Sequence, residues 1–292
     1  MRKNEDSNIT QSLSRLAKKG IRERIERLEI NTLPDSEYDQ FGFSKRHLLT
    51  AAPFVEFFYR YWHRVEVFGI ENIPSEGSTL IISNHSGMIP MDAAMIVASV
   101  LIEGEQPRLV RSMVDKWAPT VPLVYQFFVR TGQVAGLYEN AEALLERGEI
   151  VLIFPEGTRG TGKTYDMRYK LQRFTPGFVE LAFKFKSPIV PTAVIGAEEQ
   201  HMIFKDFRKL ARTFNMPYFP VTLTFPWLGP LGIIPLPSKY RIFYGEPIRF
   251  FEQYEDDVLF DPEKIRHLME EMRERIQGMI EEGLKKRRAP FF

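Results

Sequence analysis

The sequence predicts an α/β fold, with a mostly parallel central sheet flanked by helices and an N-terminal helical extension. Short apolar segments typical of buried strands alternate with longer segments whose apolar residues recur every three or four positions, as in helices. The 292 residues are 44% hydrophobic and 26% charged, which provides enough apolar material for a sizeable core. We expect an N-terminal helix and linker over residues 1–43 and one α/β domain over residues 44–292.

Residues 1–30 predict a charged helix, because apolar residues recur at mostly three- and four-residue spacings between Arg and Lys side chains. Two placements remain open: the helix packs on the main domain or a partner, or it lies in the plane of an anionic membrane surface. Residues 31–43, with Pro34 and Gly42, predict a linker. A helix rich in aromatic residues is predicted over residues 45–63.

From residue 65 onward, strand and helix patterns alternate. Strands are predicted at residues 65–68, 79–82, 109–113, 150–154, 189–195, 221–225 and 240–244. Helices are predicted at residues 92–102, 121–129, 140–147, 175–185 and 262–285. Residues 198–201 predict a polar loop, and the basic cluster 285–288 predicts a solvated helix end. The Pro-broken apolar segment 214–235 fits either a core strand with its loop or a surface that enters lipid.

The composition excludes several classes of function. The chain has no cysteine, which rules out disulfides, thiolate nucleophiles, zinc fingers and iron–sulfur clusters. The formal net charge is +1, so nothing points to a nucleic-acid partner. We see no signal peptide and no run of ~18 apolar residues that would span a membrane. A single Glu-x-x-His pattern at 198–201 lacks the second copy that a carboxylate metal site needs, so we expect no metal.

His85 is the histidine whose surroundings favour chemistry. It follows the apolar segment 79–82 in a turn that contains Gly87 and Pro90, and ligands usually bind at strand ends of open α/β sheets. Pro90 suits the first position of the next helix, which places Asp92 in its first turn. A carboxylate that holds one imidazole nitrogen leaves the other nitrogen free to take a proton. On position alone, an ordinary hydrogen-bonded loop histidine remains an alternative.

A second polar turn follows the strand predicted at 150–154, where residues 154–160 are Phe-Pro-Glu-Gly-Thr-Arg-Gly. Gly157 allows the backbone to approach a ligand closely, and the guanidinium of Arg159 matches phosphate oxygens. Five basic residues accompany two acidic ones between 156 and 173, and the basic residues are Arg159, Lys163, Arg168, Lys170 and Arg173. This local excess suits a phosphorylated substrate, and a solvated loop with mutually paired charges is the alternative.

Together the two turns resemble the glycerolipid acyltransferase family, which includes bacterial lysophosphatidate acyltransferases. The family carries an Asn-His motif that ends in Asp after one strand, similar to Asn84, His85 and Asp92. About seventy residues later it carries Phe-Pro-Glu-Gly-Thr-Arg-Ser, which residues 154–160 match at all but the last position. A later Val-Pro block is similar to residues 190–191, so the resemblance spans roughly residues 45–250.

The resemblance implies an O-acyltransferase that uses acyl-CoA or acyl carrier protein as donor, without a further cofactor. The implied acceptor is a lysophospholipid or a glycerol-phosphate-like alcohol. His85 would be the general base and Asp92 would orient its imidazole. The implied substrate-binding turn consists of Glu156, which braces it, and of Gly157, Thr158 and Arg159, which hold the acceptor phosphate. The resemblance also implies a cytoplasmic protein that is peripheral on the inner face of the membrane.

Two departures from the family pattern affect this site. Six residues separate His85 from Asp92, where the family usually has four, so the loop must absorb the extra length. The family's middle motif ends in Arg, which is absent from residues 132–139. The cations that could replace it in phosphate binding are Arg130 and the cluster of Arg168, Lys170 and Arg173.

Residues 157–164 also satisfy the G-x-x-x-x-G-K-[ST] pattern of P-loop NTPases, and they follow a predicted strand. That pattern should open a helix, whereas the apolar residues of 165–171 recur with the period of two that is typical of a strand. A P-loop nucleotide hydrolase is therefore the second candidate function. A non-catalytic lipid-binding protein with the same fold is the third.

Overall fold

A computed structural model of the chain describes residues 20–30, 32–115, 122–213, 218–287 and 289–291. The strands within these residues are β1 (Glu66–Phe68), β2 (Thr79–Ser83), β3 (Val110–Val114), β4 (Val134–Ala135), β5 (Ile150–Ile153), β6 (Ile189–Ile195), β7 (Ile203–Asp206), β8 (Pro220–Thr222) and β9 (Arg241–Tyr244).

The α-helices in the same residues are α1 (Ile21–Glu26), α2 (Lys45–Phe57), α3 (Met91–Glu103), α4 (Pro122–Arg130), α5 (Tyr138–Glu146), α6 (Thr158–Thr161), α7 (Gly177–Lys184), α8 (Ala197–Gln200), α9 (Arg208–Thr213), α10 (Phe250–Gln253) and α11 (Pro262–Lys285). A π-helix (Phe58–Trp62) continues α2. Among these helices, none is both long enough and apolar enough to cross a membrane.

Seven of the strands form one sheet in the order β1-β9-β6-β2-β5-β3-β4. All neighbours in this sheet are parallel except β6 and β9, which confirms the predicted α/β fold with a mostly parallel sheet. β2 lies between β5 and β6, with Leu80 opposite Val151 on one side and Ile189 on the other. β7 and β8 form a separate antiparallel pair.

Helices cover both faces of the sheet, so its central strands are apolar on both sides. Leu80 and Ile82 of β2 point into a core shared with α5, α7 and α11, whereas Ile81 points into a core shared with α1, α2 and α3. This follows from the alternation of side chains along a strand. Every residue of β2 and of β6 is buried, which holds the ends of these strands in place.

The N-terminal helix α1 packs on the main domain, which is one of the two placements that the sequence left open. Ile21 and Ile25 are buried in the core shared with α3. Arg24 crosses this contact, and its Nε–H donates to the carbonyl oxygen of Leu101 at 2.8 Å. The earlier part of the predicted helix, residues 1–19, lies outside the described residues.

Three predicted segments differ from the structure. The strand predicted at 221–225 ends at Thr222, because Thr222 Oγ1 accepts the N–H groups of Thr224 and Phe225 at 3.2 and 2.8 Å and turns the chain. Residues 165–171, which alternate like a strand, begin with a 3₁₀ turn instead. Residues 198–201, predicted as a polar loop, include most of α8, and all residues of α8 are buried.

Candidate active site

The candidate site lies where the chain leaves three neighbouring strands. β5, β2 and β6 are adjacent and parallel, so their carboxyl ends meet at one edge of the sheet. The turns that follow them are residues 84–90, 154–157 and 196–201. The first two turns carry predicted site residues, and the third carries acidic residues to which the sequence analysis assigned no role in the site.

The structure brings His85 and Asp92 into direct contact. His85 Nδ1 lies 2.7 Å from Asp92 Oδ2, and the Asp92 side chain is fully buried whereas that of His85 is 14% exposed. Two backbone N–H groups orient the carboxylate, because Ser86 donates to Oδ2 at 2.9 Å and Ala93 donates to Oδ1 at 2.8 Å. With Nδ1 held by Asp92, a neutral imidazole presents Nε2 as a proton acceptor.

The turn of residues 84–90 absorbs its extra length by packing on α8 and Tyr218. Gly87 has φ +85°, and a Cβ there would lie 2.0 Å from Gln200 Nε2, so only glycine fits this position. The Met88 N–H donates to His201 Nδ1 at 3.4 Å, and the Tyr218 O–H donates to the Met88 carbonyl at 2.8 Å. The six-residue spacing therefore still allows the imidazole and the carboxylate to meet.

Glu156 joins the turn after β5 to the turn after β2. Its Oε1 accepts the backbone N–H of His85 at 3.0 Å, and its Oε2 accepts that of Gln172 at 2.7 Å. The residue is 1% exposed. Because both oxygens accept backbone donors in a buried position, the geometry favours Glu156 as a brace between the two turns. This is the role that the resemblance implied for Glu156 within the substrate-binding turn, and its part in substrate binding stays a prediction.

His85 contacts two parts of the second turn, one through its ring and one through its backbone and Cβ. Its ring stacks on Phe154 with centroids 4.1 Å apart and planes 19° apart. A Cβ at Gly160 would lie 2.9 Å from the His85 carbonyl oxygen and 3.0 Å from its Cβ. Gly160 is the position at which the chain departs from the Ser of the family motif, and here the absence of a side chain permits the close approach.

Lys163 lies beneath this turn and is buried. Its Nζ is 2.8 Å from Glu198 Oε1 and 3.8 Å from Glu156 Oε2, and its side chain is 4% exposed. Burial opposes the charged ammonium, but the nearby carboxylates of Glu198 and Glu156 outweigh it and raise the pKa of Lys163. Burial raises the pKa of Glu198 to about 7 in spite of the adjacent ammonium.

The P-loop alternative is wrong, and the position of Lys163 shows why. A P-loop lysine points at bound phosphates, and the loop opens a helix. Here the short helix α6 lies inside the pattern and ends at Thr161, before the lysine. The lysine then turns into the protein and pairs with two glutamates instead of facing an anion site.

A second buried group of charges lies next to Lys163. The Tyr169 O–H donates to Glu199 Oε2 at 2.5 Å, and the Tyr169 N–H donates to Glu198 Oε1 at 3.1 Å. Arg287 Nη1 donates to the Tyr169 hydroxyl oxygen at 2.9 Å and to Glu199 Oε1 at 2.8 Å. The prediction of a solvated helix end is therefore wrong for Arg287, whose side chain is 8% exposed.

Sequence reasoning missed these supporting residues. Glu198 and Glu199 follow the fully buried strand β6 almost directly, at the edge of the sheet where ligands bind. Two acids in that position are a signal, because charged residues at a central strand end are buried only when they are paired. Their partners Lys163 and Arg287 come from distant segments and could not be assigned from local patterns.

The predicted phosphate-binding cations within residues 157–173, which we call the cationic segment, face solvent near the pair of His85 and Asp92. Gly157 has φ +57°, and Thr158 and Arg159 after it are exposed. Arg159 Nη2 donates to the carbonyl oxygen of Arg173 at 3.1 Å, which brings two of the predicted phosphate-binding residues together. The other predicted cations, Arg168 and Lys170, are also exposed. Between these two exposed residues, buried Tyr169 ties the segment to α8.

Arg130 lies away from this segment. Its guanidinium is 3.9 Å from the ring centroid of Tyr38, and its Nη1 donates to the Gly42 carbonyl at 3.2 Å. It thus holds the linker against the end of α4, at the β4 side of the sheet. The geometry gives no support to Arg130 as a phosphate ligand. Among the residues that the structure describes, no group of three His, Asp or Glu side chains is placed to hold a metal ion.

Comparisons with known proteins identify the family of the chain. The acyltransferase family model matches residues 64–195, which include both turns. The uncharacterized protein Rv0502 of Mycobacterium tuberculosis is 40% identical over 261 residues, which cover 88% of this chain and 72% of the relative. The chain belongs to the glycerolipid acyltransferase family. It is an acyltransferase, and as such it takes an acyl donor and a lipid acceptor.

Two further proteins are similar to the chain at a greater distance. The human protein named "DGAT1/2-independent enzyme synthesizing storage lipids" is 28% identical over 237 residues, covering 77% of this chain and 67% of that protein. The crystal structure of the 1-acyl-sn-glycerophosphate (LPA) acyltransferase PlsC from Thermotoga maritima superimposes with a TM-score of 0.55 at 18% identity. The match covers 99% of this chain and 100% of PlsC, and it shows that the two chains share a fold.

Proposed function

We propose that this acyltransferase moves a fatty acyl group from acyl-CoA or acyl carrier protein to the hydroxyl of a lysophospholipid or glycerol-phosphate-like acceptor. The observation that carries the proposal is the pair of His85 and Asp92, 2.7 Å apart, on a turn that contacts an exposed cationic segment. The pair supplies a base, and the segment supplies charge for a phosphate. The PlsC protein of Thermotoga maritima is named for an acceptor of this kind, 1-acyl-sn-glycerophosphate.

In the proposed reaction, His85 Nε2 takes the proton of the acceptor hydroxyl as its oxygen attacks the thioester carbonyl carbon. Asp92 stabilises the imidazolium that forms. The carbon–sulfur bond then breaks, and the leaving thiolate takes up the proton from the imidazolium. A positioned general base of this kind contributes about 10²- to 10⁴-fold in rate. The reaction needs no covalent enzyme intermediate.

The acceptor phosphate is proposed to bind at Gly157, Thr158 and Arg159. A Cβ added at Gly157 would meet no heavy atom within 4 Å, and the two residues after it are exposed, so the turn leaves room for an anion. Arg168, Lys170 and Arg173 lie in the same exposed segment and extend its positive charge. Because the acceptor is a lipid, we place the protein at the inner face of the cytoplasmic membrane as a peripheral protein.

The test is a panel of acyl donors against acceptors with the purified protein, scored by release of free thiol. We expect turnover with a lysophospholipid or glycerol phosphate, and a loss of about 10²-fold or more in His85→Ala. His267→Ala, an exposed histidine on α11, is the matched control and should keep its activity. Transfer at the normal rate by His85→Ala would overturn the assignment of the base.

A further inference from the structure

An exposed apolar surface lies beside the candidate active site. It consists of the end of α2 with its π-helical continuation and of residues 223–234, and we name it the apolar face. Its exposed apolar side chains include Phe57, Tyr61, Leu223, Trp227, Leu228 and Leu231. Tyr61 is 70% exposed, Trp227 72% and Leu231 66%. Apolar patches of this kind on a folded protein indicate an interaction surface.

The two parts of the apolar face form one surface. Trp62 Nε1 donates to the Pro235 carbonyl at 2.9 Å, which ties the end of α2 to the segment that follows Ile234. The rings of Phe57 and Trp62 are 6.1 Å apart, so the aromatic side chains of α2 continue toward this hydrogen bond. The two segments that carry the exposed side chains are therefore neighbours.

The apolar face is joined to the turn that carries His85. The Ile233 carbonyl lies 2.9 Å from His201 Nε2, and the other nitrogen of that ring accepts the N–H of Met88. Tyr218 also contacts the Met88 carbonyl from the segment before β8. A ligand seated on this face is thus a few residues from the catalytic turn.

Two lysines lie in the part of the chain that adjoins the apolar face. Lys205 is on β7, which pairs with β8 directly before residue 223, and Lys209 is on α9. Lys205 and Lys209 are exposed, and Lys205 Nζ lies 5.0 Å from the Phe207 ring. A surface that combines Trp and Tyr with flanking cations matches the interfacial region of a bilayer with anionic headgroups.

We propose that the apolar face docks on an anionic phospholipid membrane, with Trp227 and Leu231 entering the interface. The proposal rests on the proposed function, because a lysophospholipid acceptor resides in a membrane and must reach His85 from it. Docking through this face brings the catalytic turn to the bilayer surface. The helix α1, by contrast, uses its apolar side chains in the protein core.

The first test is flotation of the full chain with vesicles of phosphatidylcholine, with and without phosphatidylglycerol. We expect binding that increases with phosphatidylglycerol and falls at least about tenfold in the double variant Trp227→Glu/Leu231→Glu, since each change removes an apolar side chain that the bilayer would bury. Phe260→Glu is the matched control, because Phe260 is 89% exposed and directly follows Val258 and Leu259, which pack in the core formed with α5, α7 and α11. Equal binding by the double variant and the wild type would overturn the proposal.

A second measurement avoids the introduction of charged residues, which could disturb folding. Vesicles with spin-labelled acyl chains should quench tryptophan fluorescence of the wild type, and much less that of Trp227→Phe. The absence of Trp227-dependent quenching would refute the docking surface, as would a wild-type dimer that Trp227→Glu dissociates. Flotation without acyl transfer to any acceptor would overturn the proposed function while supporting the docking surface.

Discussion

Replacing Glu156 by Gln tests whether the turn that carries His85 must be braced for catalysis. The substitution keeps the size and shape of the side chain. Glu156 accepts two backbone N–H groups, at 3.0 and 2.7 Å, and a Gln side chain has one carbonyl oxygen to offer. Its NH₂ group would face the other backbone N–H, so that two donors oppose each other.

The magnitude follows from the hydrogen bond that is lost. A hydrogen bond to a charged group contributes about 1.5–3 kcal/mol, and about 1.4 kcal/mol corresponds to a tenfold change. If the lost bond is the one to His85, the imidazole moves out of line with the attacking hydroxyl. We therefore expect kcat to fall about 10- to 100-fold in Glu156→Gln, with little change in KM because the carboxylate is buried.

The assay is steady-state thiol release over a range of acceptor concentrations, with thermal unfolding measured in parallel. Glu142→Gln is the matched control, since Glu142 pairs with Lys184 at the surface. A raised acceptor KM with unchanged kcat would mean that Glu156 touches the substrate after all. Unchanged kcat and KM would mean that the brace does not limit catalysis.

Three further substitutions probe other parts of the site. Asp92→Asn places an amide donor against Nδ1 and moves the imidazole proton to Nε2, so we expect thiol release to slow about 10³- to 10⁴-fold; a loss below about tenfold would contradict the role of the base. Lys163→Met leaves Glu198 and Glu156 buried without their cation, and the free energy of unfolding measured with urea should fall by about 3–5 kcal/mol. An unchanged urea midpoint would show that the pair contributes nothing. Arg159→Ala should raise KM about tenfold or more for a phosphate-bearing acceptor and leave it unchanged for a phosphate-free alcohol. Arg266→Ala on α11 is the control, and equal KM values would remove Arg159 from the phosphate site.

Strong local patterns made most of the fold predictable. The apolar segments that became β2, β5 and β6 are buried on both faces and therefore stand out as continuous apolar runs. The positions of His85 and Asp92 followed from a strand end and a helix start, which are both visible in the sequence. Gly87 and Pro90 signalled a sharp turn between them.

The rest of the site depends on contacts between segments that are far apart in the chain. In the sequence, Glu198 and Glu199 look like solvated residues, because the cations that pair with them are far away along the chain. Lys163, the partner of Glu198, lies 35 positions earlier, and Arg287, the partner of Glu199, lies near the end of the chain. Likewise, the six-residue spacing could not be judged locally. Whether His85 and Asp92 can meet across this spacing depends on Gln200 and Tyr218, against which the turn packs.

The close fit of Gly87 against Gln200 links two loops that are usually treated as independent. Any side chain at 87 would occupy the space of the Gln200 side chain, in addition to the strain that φ +85° imposes on a residue other than glycine. Gln200 Oε1 accepts a hydrogen bond from the hydroxyl of buried Tyr240. A shorter residue at 200 would therefore leave that hydroxyl without its acceptor. Anyone who transplants a four-residue spacer from a relative into this scaffold should therefore exchange the stretch after β6 in the same step.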